Sequence, residues 1–221
     1  MKYKAIIFDM DGTIIDTEHI WHEATRWLLT SRGVTVTPEL EAELAQKLNG
    51  LAMVPCIKII KEIANLDEEV EHLVKEKSKK ANELYAQGIR FVEGFLDFHK
   101  YAMAHNLKVG LATNADDHTV RITNETLDLG KLFGTHIYNI THVNFVHKPN
   151  PAVYLHAAKQ LDIDPSECIA IEDSTNGIKA ARAAGMFCIG INTSLKPDRL
   201  VESHMIINHY HEIHLPTLLQ K

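Results

Sequence analysis

Cysteine is scarce in this 221-residue chain: Cys56, Cys168 and Cys188 stand far apart and form no C-x-x-C pair. An odd, scattered set argues against a disulfide framework and fits a reducing compartment, so a cytoplasmic location is expected. No run of lysine and arginine occurs and the formal net charge is −6, so nucleic acid is not an expected partner. No apolar stretch reaches the roughly 20 residues of a membrane span, so no membrane partner is expected either. The basic start Met1-Lys2-Tyr3-Lys4 leads into an apolar run that stops at Asp9, too short for a signal segment. Internal repeats and low-complexity tracts are also missing. The remainder, 45% hydrophobic and 24% charged, is an ordinary globular composition. Its length allows one domain with a proper core, or a domain plus an insertion, and a monomer is expected.

The most informative stretch is Ala5-Ile6-Ile7-Phe8-Asp9-Met10-Asp11-Gly12-Thr13. Four apolar residues running into a carboxylate read as a strand buried on both faces. Gly12 lets the backbone turn sharply, which leaves Asp9 at the carboxyl end of the strand, where open α/β sheets place their ligands. Taken alone, Asp-x-Asp-Gly is more often a solvated turn. Two carboxylates this close become tolerable if a cation sits between them or if one keeps its proton.

From there to about residue 87 the pattern is helical. Ile20, Trp21, Ala24, Trp27 and Leu28 repeat at helical spacing behind Asp16 or Thr17 as N-cap. Pro38 opens a second helix, Val54 to Ala64 forms a third, and a fourth starts at Asp67-Glu68-Glu69. Strands and helices then alternate: a helix at 95–105, a strand at 107–113, a helix at 119–127 and a short strand at Ile137-Tyr138. A helix at 151–161, a strand at 168–171, a helix at 177–184 and strands at 187–191 and 205–207 follow. Such alternation implies a parallel sheet with helices on both faces.

In a parallel sheet the carboxyl ends of the strands share one edge. The sequence assigns to that edge Asp9 and Asp11, then Thr113-Asn114, then Glu172-Asp173, with Lys148-Pro149 in a preceding loop. Singly, Lys148 reads as a surface lysine, Thr113 as a helix cap, and Glu172-Asp173 as a loop before the N-cap Ser174. Jointly they supply carboxylates for a hard cation, an ammonium, a hydroxyl and an amide, which is what phosphoryl transfer needs.

Asp9-Met10-Asp11-Gly12-Thr13, Thr113-Asn114, Lys148-Pro149 and the run from Glu172 to Met186 resemble the four motifs of the haloacid dehalogenase (HAD) superfamily of phosphohydrolases. The closer resemblance is to its β-phosphoglucomutase-like and phosphoglycolate-phosphatase-like branch. It implies an α/β fold: a Rossmann-like, doubly wound parallel sheet at 1–15 and 91–221, with a small inserted α-helical cap at 16–90. It also implies that Asp9 attacks phosphorus and that Asp11 protonates the leaving oxygen and then activates water. Thr113 and Lys148 would hold the phosphoryl oxygens, with Asn114 and the Gly12 backbone as helpers. Mg²⁺ would be bound by Asp9, the Asp11 carbonyl and Asp173, with Glu172 acting directly or through a water. The expected reaction is Mg²⁺-dependent hydrolysis of a small phosphate monoester, a phosphorylated metabolite such as a sugar phosphate.

Two alternatives stay open. A mutase of this branch carries a Lys and an Arg flanking a cap-loop Gly; here Asn49 and Met53 stand at those positions, with Lys47 a possible substitute, which favours a phosphatase. A HAD-like fold can also serve as a non-catalytic binding module. In the cap, His19, Trp21 and Asn49 are candidate substrate contacts, although Trp21 at helical spacing also reads as cap core. Gly94 is a candidate hinge. The histidines at 209, 211 and 214 read as surface residues.

Overall fold

The computed structural model describes residues 2–48, 51 and 53–220. Its elements are β1 (Ala5–Phe8), α1 (Glu18–Thr30), α2 (Pro38–Leu48), α3 (Met53–Ala64), α4 (Val70–Gln87), α5 (Phe95–Ala104) and β2 (Lys108–Ala112). Then come α6 (Asp117–Leu127), α7 (Leu129–Phe133), β3 (Ile137–Tyr138), α8 (Ala152–Leu161), β4 (Cys168–Glu172) and α9 (Thr175–Ala183). β5 (Phe187–Ile191), β6 (Met205–Ile207) and α10 (Leu215–Gln220) complete the chain. Contacts divide it into two compact units, one of residues 1–16 and 89–221 and one of residues 17–88.

In the larger unit six parallel strands form one sheet in the order β3-β2-β1-β4-β5-β6. β1 is central because all four of its residues, Ala5 to Phe8, are fully buried; a strand apolar on both faces is stable only between neighbours and beneath helices on each side. Ile6 registers with Val109 of β2 and Ile169 of β4. On one face Ile7 and Ala170 pack with Val153, Tyr154 and Ile178 from α8 and α9. On the other, the Phe8 ring meets Phe95 and Phe98 of α5 and Phe133 of α7, edge to face, at 5.5, 6.2 and 5.9 Å between centroids. The strand order reverses beside β1, and that reversal opens the crevice in which a doubly wound sheet takes its ligand.

The smaller unit is helical. Leu28 and Leu29 of α1, Leu44 of α2, Ile57 and Ile60 of α3 and Leu73 of α4 form its apolar cluster. Met53 packs against that cluster. The chain leaves and re-enters the larger unit as a paired stem. Ile15 bridges Phe91 antiparallel, the Asp16 N–H donates to Arg90 O (3.0 Å), and the Arg90 guanidinium reaches the Asp16 carboxylate at 2.7 Å.

Three features depart from the sequence expectation. α4 starts at Val70 rather than at Asp67, because Glu68 is drawn out to Arg32, whose guanidinium it meets at 2.7 Å. Glu76, on α4 itself, grips the same arginine. α7 and α10 have no counterpart in the sequence pattern; at five and six residues they are too short to display a helical period.

Candidate active site

The backbone ladder aims the acids. Asp9 follows the last residue of β1, and its N–H still donates to Ile171 O (3.0 Å), so its side chain leaves at the strand's carboxyl end. Glu172 closes β4, and Asp173 is the next residue. Thr113 follows β2, its N–H donating to Tyr138 O at 3.0 Å. Because β2, β1 and β4 are neighbours, the three ends lie side by side. Lys148 comes from the loop between β3 and α8. That loop is held by its own N–H, which donates to the Asn114 Oδ1 (2.9 Å), and the Lys148–Pro149 bond is cis.

Lys148 is 3% exposed, and its ammonium is shared by the acids around it. Nζ donates to Asp9 Oδ1 and Glu172 Oε1, each at 2.6 Å, and to Ala112 O at 2.8 Å. Burial by itself would lower the lysine's pKa, but the Asp9 and Glu172 carboxylates more than reverse this and keep it charged. Glu172, fully buried, also accepts from the Tyr154 hydroxyl (2.8 Å) at Oε1 and from the Ser174 hydroxyl (3.1 Å) at Oε2. Nothing in the sequence singles out Tyr154. It lies within the apolar pattern of α8, and only its hydroxyl, turned to a residue on another element, marks it.

One ammonium does not offset this many acids. Burial, then Glu172, push the Asp9 carboxyl up to about 7, against the opposing pull of Lys148. Burial, then Asp9 and Glu172, hold Asp173 well above the carboxylate range. Oxygens of Asp9, Glu172 and Asp173 lie within 4.8 Å of one another. Hard oxygen donors with uncompensated negative charge fit a small divalent cation such as Mg²⁺.

Two glycines make room for these carboxylates. A Cβ on Gly12 would come within 2.3 Å of Asp173 Oδ2, and the residue's φ of +76° disfavours a side chain in any case. A Cβ on Gly177 would lie 1.9 Å from Glu172 Oε1, so the first turn of α9 closes over that carboxylate only because the position is glycine. Ser174 caps the same helix, its Oγ accepting from the Gly177 N–H at 3.1 Å.

Of the residues singled out in the sequence, Asp9, Lys148, Glu172 and Asp173 converge directly. Gly12 lies against Asp173. Asp11 is half-buried two residues past Asp9, and its charge contributes to raising both Asp9 and Asp173. Thr113 is 2% exposed, with its Oγ1 accepting from the Ala115 N–H at 3.0 Å. Asn114 uses its amide oxygen to brace the Lys148 loop. In the helical unit, Trp21 is half-buried, set edge to face with Tyr85 (6.1 Å) and with the Lys77 ammonium 5.8 Å from its ring centroid. Lys77 itself is 4% exposed, and burial lowers its pKa; helical spacing among charged neighbours gave no sign of this. His19 is exposed on α1. Asn49 lies outside the described residues. Lys47 pairs with Glu43 at 2.8 Å. His209, His211 and His214 are exposed. No helix among the described residues is long and apolar enough to cross a membrane.

Comparison with known proteins agrees with this architecture. The haloacid dehalogenase-like hydrolase family model matches residues 3–185. A phosphorylated carbohydrates phosphatase of Thermotoga maritima is 26% identical over 183 residues, covering 83% of this chain and 82% of that protein. The putative phosphatase YhcW of Bacillus subtilis is 31% identical over 212 residues, 95% of this chain and 90% of its own. The crystal structure of a HAD hydrolase of family IA, variant 3, from Entamoeba histolytica superposes with a TM-score of 0.85 at 24% identity, covering 98% of both chains. With three acids and a buried lysine gathered at the reversal point of a parallel sheet, and a family match over most of its length, the chain belongs to the haloacid dehalogenase-like hydrolases and is an enzyme of their phosphohydrolase kind.

Proposed function

We propose that the protein hydrolyses a small phosphate monoester through a phosphoaspartate formed on Asp9. The observation that carries this reading is the buried contact of Lys148 with both Asp9 and Glu172. It holds an ammonium where an incoming phosphoryl group needs its charge offset and keeps the Asp9 oxygen oriented for attack. Asp9 Oδ attacks phosphorus and the ester P–O bond breaks. Asp11 gives its proton to the departing oxygen, then takes one from the water that splits the phosphoaspartate and releases phosphate. Thr113 and Lys148 would hold the phosphoryl oxygens, with Asn114 and the Gly12 backbone as helpers. The oxygens of Asp9, Asp173 and the Asp11 backbone would hold Mg²⁺, which supplies charge neutralisation to the phosphoryl oxygens when bound. Glu172 serves chiefly as the anchor of Lys148, since both its oxygens already accept hydrogen bonds.

The leaving group is a sugar or polyol, on two grounds. Trp21 and His19 belong to the helical insertion, the proposed cap, and are candidate contacts for such a group; Asn49, the third candidate, lies outside the described residues. The Thermotoga maritima relative is a phosphatase of phosphorylated carbohydrates. Met53 packed in the helical cluster, and Lys47 paired with Glu43, leave those two cap positions without a free cation for the second phosphate of a mutase. The test is phosphate release from p-nitrophenyl phosphate and a panel of sugar and polyol phosphates, with Mg²⁺ and with EDTA. Release that depends on Mg²⁺ is expected. Conversion of a hexose 1-phosphate to its 6-phosphate would replace the reading with a mutase, and inertness across the panel would replace it with a binding module.

A further inference from the structure

The turn that carries Asp11 is wound on a single oxygen: Met10 O accepts the N–H groups of Thr13, Ile14 and Ile15 at 3.3, 2.9 and 3.1 Å, while the Gly12 N–H donates to Ile15 O at 2.8 Å. Among the described residues, no backbone N–H donates to the carbonyls of Gly12 and Thr13. Side-chain hydroxyls from the far end of the chain take both. Thr193, two residues past β5, donates from Oγ1 to Gly12 O at 2.6 Å. Tyr210, in a short turn after β6, donates from its hydroxyl to Thr13 O at 3.0 Å. Its ring is locked by Phe98, stacked at 5.3 Å, and by Phe95 at 5.8 Å. The two bonds span 181 and 197 residues. Both donors lie beyond residue 185, where the family match ends.

Gly12, at φ +76°, is the residue of the turn with most freedom to leave its conformation. The two bonds hold the peptides on either side of Thr13, and rotation of those peptides would let Gly12 turn and swing Asp11 away from a leaving oxygen that it must meet within hydrogen-bond reach. We infer that Thr193 and Tyr210 are positioning residues that clamp the Gly12–Thr13 turn and thereby aim the Asp11 carboxyl. This rests on the phosphatase reading above.

The experiment compares kcat/KM for p-nitrophenyl phosphate, whose leaving group departs without a proton, with that for sorbitol 6-phosphate or the fastest alkyl phosphate of the panel, whose leaving group needs one. Thr193→Val and Tyr210→Phe should each lower the alkyl value by about tenfold more than the p-nitrophenyl value. Thr193→Ser, which keeps the hydroxyl, should return the ratio to within about threefold of wild type. A variant that merely lost folded enzyme would lower both substrates alike, which circular dichroism would register. Should Tyr210→Phe fail to fold, Thr193→Val decides, because its side chain is only half-buried. A ratio in folded Thr193→Val within about twofold of wild type overturns the clamp while leaving the phosphatase reading intact. A wild type inert toward both esters overturns the phosphatase reading, and the clamp with it.

Discussion

Lys148 Nζ lies 2.6 Å from Asp9 Oδ1, although 139 residues separate the two in the chain. The same ammonium reaches Glu172 at 2.6 Å, so one buried cation ties the carboxyl ends of β1 and β4 together. It leaves a surplus of negative charge on Asp9, Glu172 and Asp173, and that surplus governs how the protein should respond to mutation, pH and metal.

Asp9→Asn removes the attacking oxygen but keeps the size of the side chain. Turnover of p-nitrophenyl phosphate should fall by at least about a thousandfold. Because the substitution deletes one charge from an over-acidic buried cluster, the melting temperature in EDTA should not fall. Near-normal turnover would show that another group attacks phosphorus.

The pH dependence of stability in EDTA follows from the raised carboxyls. The Asp9 carboxyl titrates at about 7 in the folded protein against an ordinary 3.8. Between those values the folded state binds a proton that the unfolded state lacks, so this contribution is complete below the ordinary value and is lost as the pH rises through about 7. Asp173 is shifted in the same direction. Lowering the pH from about 8 to about 6 should therefore stabilise the metal-free protein by about 1 kcal/mol, or roughly 3 °C in melting temperature. Saturating Mg²⁺ should flatten the trend, since a bound cation holds the carboxylates ionised. A melting temperature that falls over this interval in EDTA would contradict the charge surplus.

Gly12→Ala and Gly177→Ala each place a methyl group against a carboxylate, at 2.3 Å from Asp173 and 1.9 Å from Glu172. Both carboxylates must shift. Each variant should lose about 1–3 kcal/mol of stability in chemical denaturation. Gly12→Ala should also raise the Mg²⁺ concentration needed for half-maximal activity, because it displaces a proposed ligand. Gly33→Ala is the control for a glycine at positive φ with nothing near its Cβ, and it should leave Mg²⁺ activation unchanged.

Tyr154→Phe keeps the ring over which Lys148 lies and removes only the hydroxyl bonded to Glu172. A buried carboxylate losing one donor costs about 1–3 kcal/mol, read from urea unfolding. With Lys148 and Ser174 still holding Glu172, the half-maximal Mg²⁺ concentration should stay within about twofold of wild type. A large rise would place Glu172 among the direct metal ligands.

Local pattern alone determined much of this protein. The apolar run ending at Asp9, the shift from helical to alternating rhythm near residue 90, and the acids assigned to strand ends with Lys148 in a loop were all legible, because strand burial and helix amphipathicity are written in consecutive residues. The start of α4 lies later than the acidic run suggests because Glu68 serves Arg32, 36 residues away, rather than the helix. Tyr154, Thr193 and Tyr210 were invisible for the same reason: a hydroxyl's partner is chosen by folding, and these lie 18, 181 and 197 residues from what they hold. Only the tertiary structure decided that Glu172 is saturated by Lys148, Tyr154 and Ser174, and that Gly12 and Gly177 are spaces for carboxylates as well as turn and helix residues. Such facts depend on which atoms meet across the sheet edge, and sequence order does not carry that information.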